Sequence, residues 1–224
     1  MSIKNNVLIG VAAVAALSAG FWLSSLQHTA ERNAAAENDD KLAQARENFS
    51  PIQGAIMSPA RKIILPELIK DNGETFTSDD LTGHWSLLFF GYTNCPDICP
   101  VTMGVVAQAK KSAEAINHMF PDVVFVSVDP ERDKAEILTD YVQYFDKDFK
   151  GVTGDKDLIK ALTLQMSVVY MEMPADDVTG NYMVDHSAAL FLIDPQGKLT
   201  AFFNPPHDTE TILKDFQTVV NNSH

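Results

Sequence analysis

The chain of 224 residues is poor in cysteine, holding Cys95 and Cys99 and no others. A closed zinc site of four protein ligands therefore has no third cysteine to draw on, and no disulfide framework can be built. Basic residues are also few, 17 against 30 acidic ones, for a formal net charge of −13. Lys4 is the one charged side chain before Glu31, so the acidity belongs to the remainder of the chain. A surface of that sign repels polyanions, which excludes nucleic acid as a partner. Arginine is limited to Arg32, Arg46, Arg61 and Arg132, none of them near the cysteines in sequence. There is no internal repeat, and long apolar runs are lacking except for one at the amino terminus.

That run, Val7 to Leu26, is uncharged and rich in Ala, Leu and Val. About 20 residues at helical rise span a hydrocarbon core. Lys4 and the terminal amine ahead of it place the amino terminus on the cytoplasmic side. A cleaved signal peptide ending near Ala13-Val14-Ala15 and a buried core helix are the competing readings. Cleavage there would leave only a short apolar region, which favours a retained anchor. The expected organisation is an anchor over residues 1–27, a polar, Ala-rich linker over 28–50 and one domain over 51–224. The expected location is an inner membrane, with the domain facing an oxidising periplasm. A domain of that length can bury its own core without disulfide staples.

Within the domain, Arg61 to Lys70 reads as a strand interrupted at Pro66, followed by the turn Asp71-Asn72-Gly73. Trp85 to Phe90 is short, apolar and aromatic, as a buried strand is. Val101 to about His118 carries an amphipathic pattern and predicts a helix, with both thiols in the turn before it. Asp122 to Val128 is a second buried strand, so the order strand–helix–strand implies parallel pairing. Helices are expected over Lys134–Phe145 and Asp155–Gln165, a short strand over Ser167–Met171, and an exposed loop over Pro174–Asn181. Ala188–Asp194 and Lys198–Phe203 form a hairpin around Pro195-Gln196-Gly197, and Asp208 caps a last helix. This is an α/β chain in the order of the thioredoxin fold, with a central mixed sheet flanked by helices. If Ala188–Asp194 lies antiparallel to Trp85–Phe90, then Asp185-His186-Ser187 faces the cysteines.

The chemistry follows from that placement. Cys95 and Cys99 enclose only three residues, and a disulfide closing so small a loop would constrain the unfolded chain little. Helix amino termini favour anions, so both thiols are expected to reach the thiolate form near neutral pH. A structural disulfide remains the plain alternative. His186 taken alone is an ordinary polar residue; opposite two thiolates it completes a soft, low-coordinate site suited to Cu(I). Asp185 either orients that imidazole or is a solvated carboxylate. Met166, Met171, Met173 and Met183 bring thioethers near the region, most of them read as core or loop filling. His28, His84, His118, His207 and His224 have no evident partner and receive no role.

Four motifs in fixed order then carry a resemblance. Phe90-Gly91-Tyr92-Thr93-x-Cys95-Pro96-Asp97-x-Cys99-Pro100, Ser127-Val128-Asp129-Pro130-Glu131-Arg132-Asp133, Asp185-His186-Ser187 and Ile193-Asp194-Pro195-x-Gly197 resemble the Sco/SenC family over about residues 60–220. The resemblance implies a thioredoxin-like fold and one copper ion per chain, as Cu(I) or Cu(II), held by Cys95, Cys99 and His186. It implies a metallochaperone that delivers copper to the binuclear copper site of cytochrome c oxidase subunit II, or a thiol–disulfide reductase that keeps that site's cysteines reduced. A second copper chaperone is the implied donor. Asp129–Asp133 matches a family signature and reads physically as a strand-end turn and helix start, not as a ligand. The three-residue gap between the cysteines, where thioredoxin-type redox motifs have two, counts against a general oxidoreductase. A peroxidase would usually place an arginine beside its thiol, and a redox or copper sensor would use the same three residues.

Overall fold

A computed structural model describes Arg32 and residues 52–223. The anchor expected over Val7–Leu26 lies outside the described residues, as does nearly all of the linker; among the described residues no helix is long and apolar enough to cross a membrane. Ser50–His224 forms one compact unit.

Its centre is β4 (Ser86–Gly91), every residue of which is buried. Apart from Ser86 the strand is apolar, because both faces are covered. It runs parallel to β5 (Asp122–Ser127), with Phe89 opposite Phe125, and β5 runs parallel to β6 (Lys150–Thr153). On its other side β4 pairs antiparallel with β9 (Leu190–Ile193), Phe89 lying opposite Leu190. The antiparallel hairpin β9–β10 (β10, Lys198–Phe203) turns where Asp194 Oδ1 accepts from the N–H groups of Gln196 and Lys198, each at 2.9 Å. Gly197, at φ +73, takes the left-handed position that such a turn requires.

The order across the sheet is β1-β10-β9-β4-β5-β6-β2-β3, where β1 is Gly54–Lys62, β2 Leu68–Lys70 and β3 Thr75–Phe76. The single interrupted strand expected over Arg61–Lys70 is thus two strands far apart in the sheet, β1 at one edge and β2 next to the other. β1 begins well before that stretch, hidden in the sequence by Pro59. That proline falls where the ladder with β10 breaks between Ile56 and Arg61, so its missing N–H removes no rung.

Helices α1 (Ile98–Ala115), α2 (Ala135–Phe145), α3 (Lys156–Met166) and α4 (Thr209–Asn221) complete the mixed α/β arrangement. Asp155 and Asp208 cap α3 and α4 by accepting from the N–H groups of Asp157 and Thr211. α4 packs beside α1, with Phe216 edge-on to Trp85 at 6.0 Å. Apart from the main sheet stands a two-stranded ribbon of β7 (Tyr170–Glu172), which overlaps the short strand expected over Ser167–Met171, and β8 (Val184–His186), which the sequence reading lacked. Its register puts Tyr170 opposite His186 and Glu172 opposite Val184. The loop between its strands, 174–181, is exposed as expected, closed by Asp176 accepting from the N–H groups of Val178 and Thr179.

Candidate metal centre

Cys95 and Cys99 lie beyond the carboxyl end of β4, where a parallel sheet leaves room for a ligand. Helix α1 begins at Ile98, three residues earlier than expected, so Cys99 stands in its first turn and only Cys95 in the loop before it. The loop is pulled tight by the Cys95 N–H donating to Tyr92 O at 3.2 Å. Cys99 is buried and Cys95 partly buried, and both thiols are free. His186 arrives from the end of β8, its Nε2 3.1 Å from Cys99 Sγ. One donor atom from each of Cys95, Cys99 and His186 can be chosen so that all lie within 4.8 Å of one another.

The imidazole is set up as a ligand. His186 Nδ1 lies 3.1 Å from Ser187 O. A carbonyl only accepts, so Nδ1 carries a proton, and Nε2 is the ring nitrogen that faces the thiols. Backbone, rather than Asp185, orients the ring: among the described residues no hydrogen bond joins Asp185 to His186. The edges of the Phe89 and Tyr92 rings flank the imidazole at centroid separations of 6.1 and 5.8 Å.

The two thiols are not equivalent, in contrast to the expectation of two accessible thiolates. The hydrogen bond from Cys99 outweighs burial at Cys95, backbone N–H groups of Asp97 and Cys99 add to it, and the thiol falls to about 4. Cys99 is driven upward by that same bond to Cys95 and by burial. A helix amino terminus by itself would lower Cys99, but a neighbouring thiolate and the loss of water are the stronger effects here. The pair therefore holds one proton and one negative charge.

This donor set fits copper. With bond lengths of about 2.0–2.3 Å, typical of first-row ions on these donors, a three-coordinate ion needs its ligand atoms about 4 Å apart. The Cys99–His186 separation of 3.1 Å then has to widen by less than about 1 Å, a side-chain adjustment. Two sulfurs and one imidazole nitrogen, joined by no further His, Cys, Asp or Glu among the described residues, suit a soft ion of low coordination number.

The motif Ser127–Asp133 holds this loop in place. Buried Asp133 accepts from the Thr93 N–H (2.9 Å), Thr93 Oγ1 (2.6 Å) and Ser127 Oγ (2.6 Å), tying the cysteine loop to the end of β5. Asp129 accepts from Arg132 Nε and from Tyr182 Oη, and Arg132 donates to Tyr182 O at 3.0 Å. The Arg132 guanidinium lies 3.6 Å from the centre of the Tyr182 ring and 5.7 Å from that of Tyr92. It clamps the β7–β8 ribbon, and with it His186, against the cysteine loop. The motif is a strand-end turn, as the sequence implies, and supplies no ligand; its part as a brace was not legible. Arg132, distant from the cysteines in sequence, does fold beside their loop, but Asp129 and Tyr182 engage it rather than a thiol. His207, given no role above, has its Nε2 2.8 Å from Ala188 O and steadies the segment between His186 and β9.

Gly91 has a steric reason. A Cβ there would sit 2.7 Å from Cys99 Sγ and 2.9 Å from Phe125 Cε2. Gly91→Ala is expected to cost about 1–3 kcal/mol by overpacking and to push the buried thiol out of line. Urea unfolding reads the first effect, and competition with a Cu(I) chelator reads the second. Wild-type values for both would show that the site tolerates the methyl group.

The comparisons with known proteins agree with this geometry. Residues 63–221 match the SCO1/SenC family. A SCO2-like protein of Rickettsia felis is 41% identical over 139 residues, covering 61% of this chain and 66% of that protein, just under two thirds of its length. The copper-bound structure of Arabidopsis thaliana ScoI aligns with a TM-score of 0.64 at 32% identity, over 71% of this chain and 99% of that one. Yeast Sco1 with copper bound aligns with a TM-score of 0.67 at 27% identity, over 74% and 91%. A family match over residues 63–221, well over half of the chain, establishes that this chain belongs to the SCO1/SenC family.

Proposed function

We propose that this protein is a membrane-anchored copper metallochaperone that binds one copper ion through Cys95, Cys99 and His186. Its acceptor is the binuclear copper site of cytochrome c oxidase subunit II, its donor another copper chaperone. The observation that carries the reading is the convergence of two free thiols and an imidazole nitrogen, drawn from separate elements, within 4.8 Å. Family membership and the copper-bound relatives support the choice of metal. Val7–Leu26 serves as the anchor, residues 28–50 as the linker, and 51–224 as the copper-binding domain on the periplasmic side of an inner membrane.

Copper here is cargo. Cys95, already a thiolate, takes the ion, Cys99 gives up its proton to water as its sulfur joins, and His186 Nε2 closes the set. The partly buried position of Cys95 leaves one sulfur open to an incoming thiolate, so release proceeds by exchange of one ligand at a time. The test is to load the reduced full chain with Cu(I), mix it with the reduced, copper-free acceptor domain, and measure copper on each after separation. Copper moving to the acceptor with both proteins' thiols still reduced supports the chaperone. Retention of copper against an excess of acceptor overturns it.

One observation favours a second reading. A low thiol at Cys95 beside a protonated, buried thiol at Cys99 is also an arrangement for thiol–disulfide exchange, with Cys95 attacking and Cys99 resolving. In a reductase acting on the acceptor's cysteines, His186 is dispensable. Full reduction of an acceptor disulfide by His186→Ala, with no copper bound, would favour that role.

A further inference from the structure

We propose that Met173 and Met183 form a thioether landing site on which monovalent copper settles before it passes to Cys95, Cys99 and His186; the inference rests on the reading of those three residues as the copper centre. Both methionines line the cleft of about 390 Å3 that also holds Cys95 and His186. Both are large apolar side chains left 44% and 51% exposed. They are held as a pair: the Met173 N–H donates to Met183 O at 2.8 Å, which continues the β7–β8 ladder one step beyond Glu172 and Val184. Cross-strand residues in such a pair lie side by side on one face of the ribbon. Met183 is fixed toward the centre, since Tyr92 Oη lies 3.9 Å from its Sδ, and the Tyr92 ring stands edge-on to His186 at 5.8 Å. One aromatic side chain thus separates a thioether sulfur from the imidazole.

The donor chemistry selects the ion. Thioethers are neutral and soft, favouring Cu(I) over Zn2+ or Ca2+ and requiring no loss of a proton. Asp97 and Asp185 line the same cleft and bias it toward cations. The handover conserves charge and oxidation state. Two thioether–copper bonds break as bonds to Cys95 Sγ, Cys99 Sγ and His186 Nε2 form, the Cys99 proton leaves to water, and copper remains Cu(I).

Two measurements test it. The full chain and its Met173→Leu/Met183→Leu variant are mixed with Cu(I) held by a coloured bathocuproine chelate, and loading is followed by loss of colour. The variant is expected to reach the same final copper per chain but about tenfold or more slowly, because the second binding step loses its intramolecular character. Met119→Leu, at a methionine that is 56% exposed and outside the cleft, is expected to load at the wild-type rate. Then Cys95→Ser/Cys99→Ser/His186→Ala, carrying methyl-labelled methionine, is titrated with Ag(I). The Met173 and Met183 methyl resonances are expected to move together while those of Met119 and Met171 stay. Equal loading rates overturn the proposal, as does an Ag(I) response that is absent or spread evenly over the exposed methionines. Failure of the wild type to take up any Cu(I) would instead remove the three-residue centre, and the Ag(I) titration would still decide on the methionine pair.

Discussion

Replacing His186 with alanine is expected to weaken Cu(I) binding by about a hundredfold or more. Outer partners of metal ligands already cost about 10–100-fold when removed, and His186 is one of only three donors. The loss has two parts. The ion loses the lone pair aimed at it by the bond from Nδ1 to Ser187 O. Cys99 also loses the neighbour at 3.1 Å that now shares its buried position. The fold should survive, because the ribbon is still held by Arg132 and Tyr182. The measurement is competition against a Cu(I) chelator, with circular dichroism to confirm the fold. Wild-type affinity in His186→Ala would remove His186 from the site and leave a two-thiol centre, favouring the reductase.

The second large effect is on stability. Asp133→Ala is expected to lower the unfolding free energy by about 3 kcal/mol, since it leaves at least two donors without a partner at about 1–3 kcal/mol each. Ser127 is fully buried and has no water to turn to, and the Thr93 N–H is partly buried. Burial raises the Asp133 carboxyl above its usual range, against the hydrogen bonds from Ser127 and Thr93. The folded state therefore favours the protonated acid. That contribution is complete below the unfolded pKa of about 3.9 and is lost as pH rises through the higher folded value. The gap between wild type and Asp133→Ala should accordingly narrow from pH 4 upward. Urea unfolding at several pH values reads both the size and the trend. A difference within about 0.5 kcal/mol at every pH, the range of an ordinary surface substitution, would mean that the network is not a brace.

Much of this protein is written locally. An apolar run such as Ser86–Gly91 must be buried on both faces wherever it goes, and Asp122–Ser127 likewise. The turn at Asp194–Gly197 and the cap at Asp208 depend on residues within four positions of one another. Those signals suffice for the order of the thioredoxin-like core, for the antiparallel placement of Leu190–Ile193 beside β4, and so for His186 opposite Cys95 and Cys99. Sequence alone went astray where long-range pairing overrides local pattern. Pro59 conceals an edge strand, and the six residues of β7 and β8 are too few to announce a ribbon.

Only the tertiary structure decided the chemistry of the site. A thiol's proton affinity depends on burial and on neighbours, not on its place in a motif, so the division between a thiolate at Cys95 and a protonated Cys99 appears only once both are packed. The same holds for Asp133 and Arg132, each of which has one partner a few residues away and another 40 or 50 residues away. It holds as well for Met173 and Met183, ordinary filler in the sequence and an exposed pair on the wall of the cleft that holds Cys95 and His186 in the fold. Which residues carry the chemistry was set by side-chain type and spacing; what each of them does was set by what the folded chain packs against it.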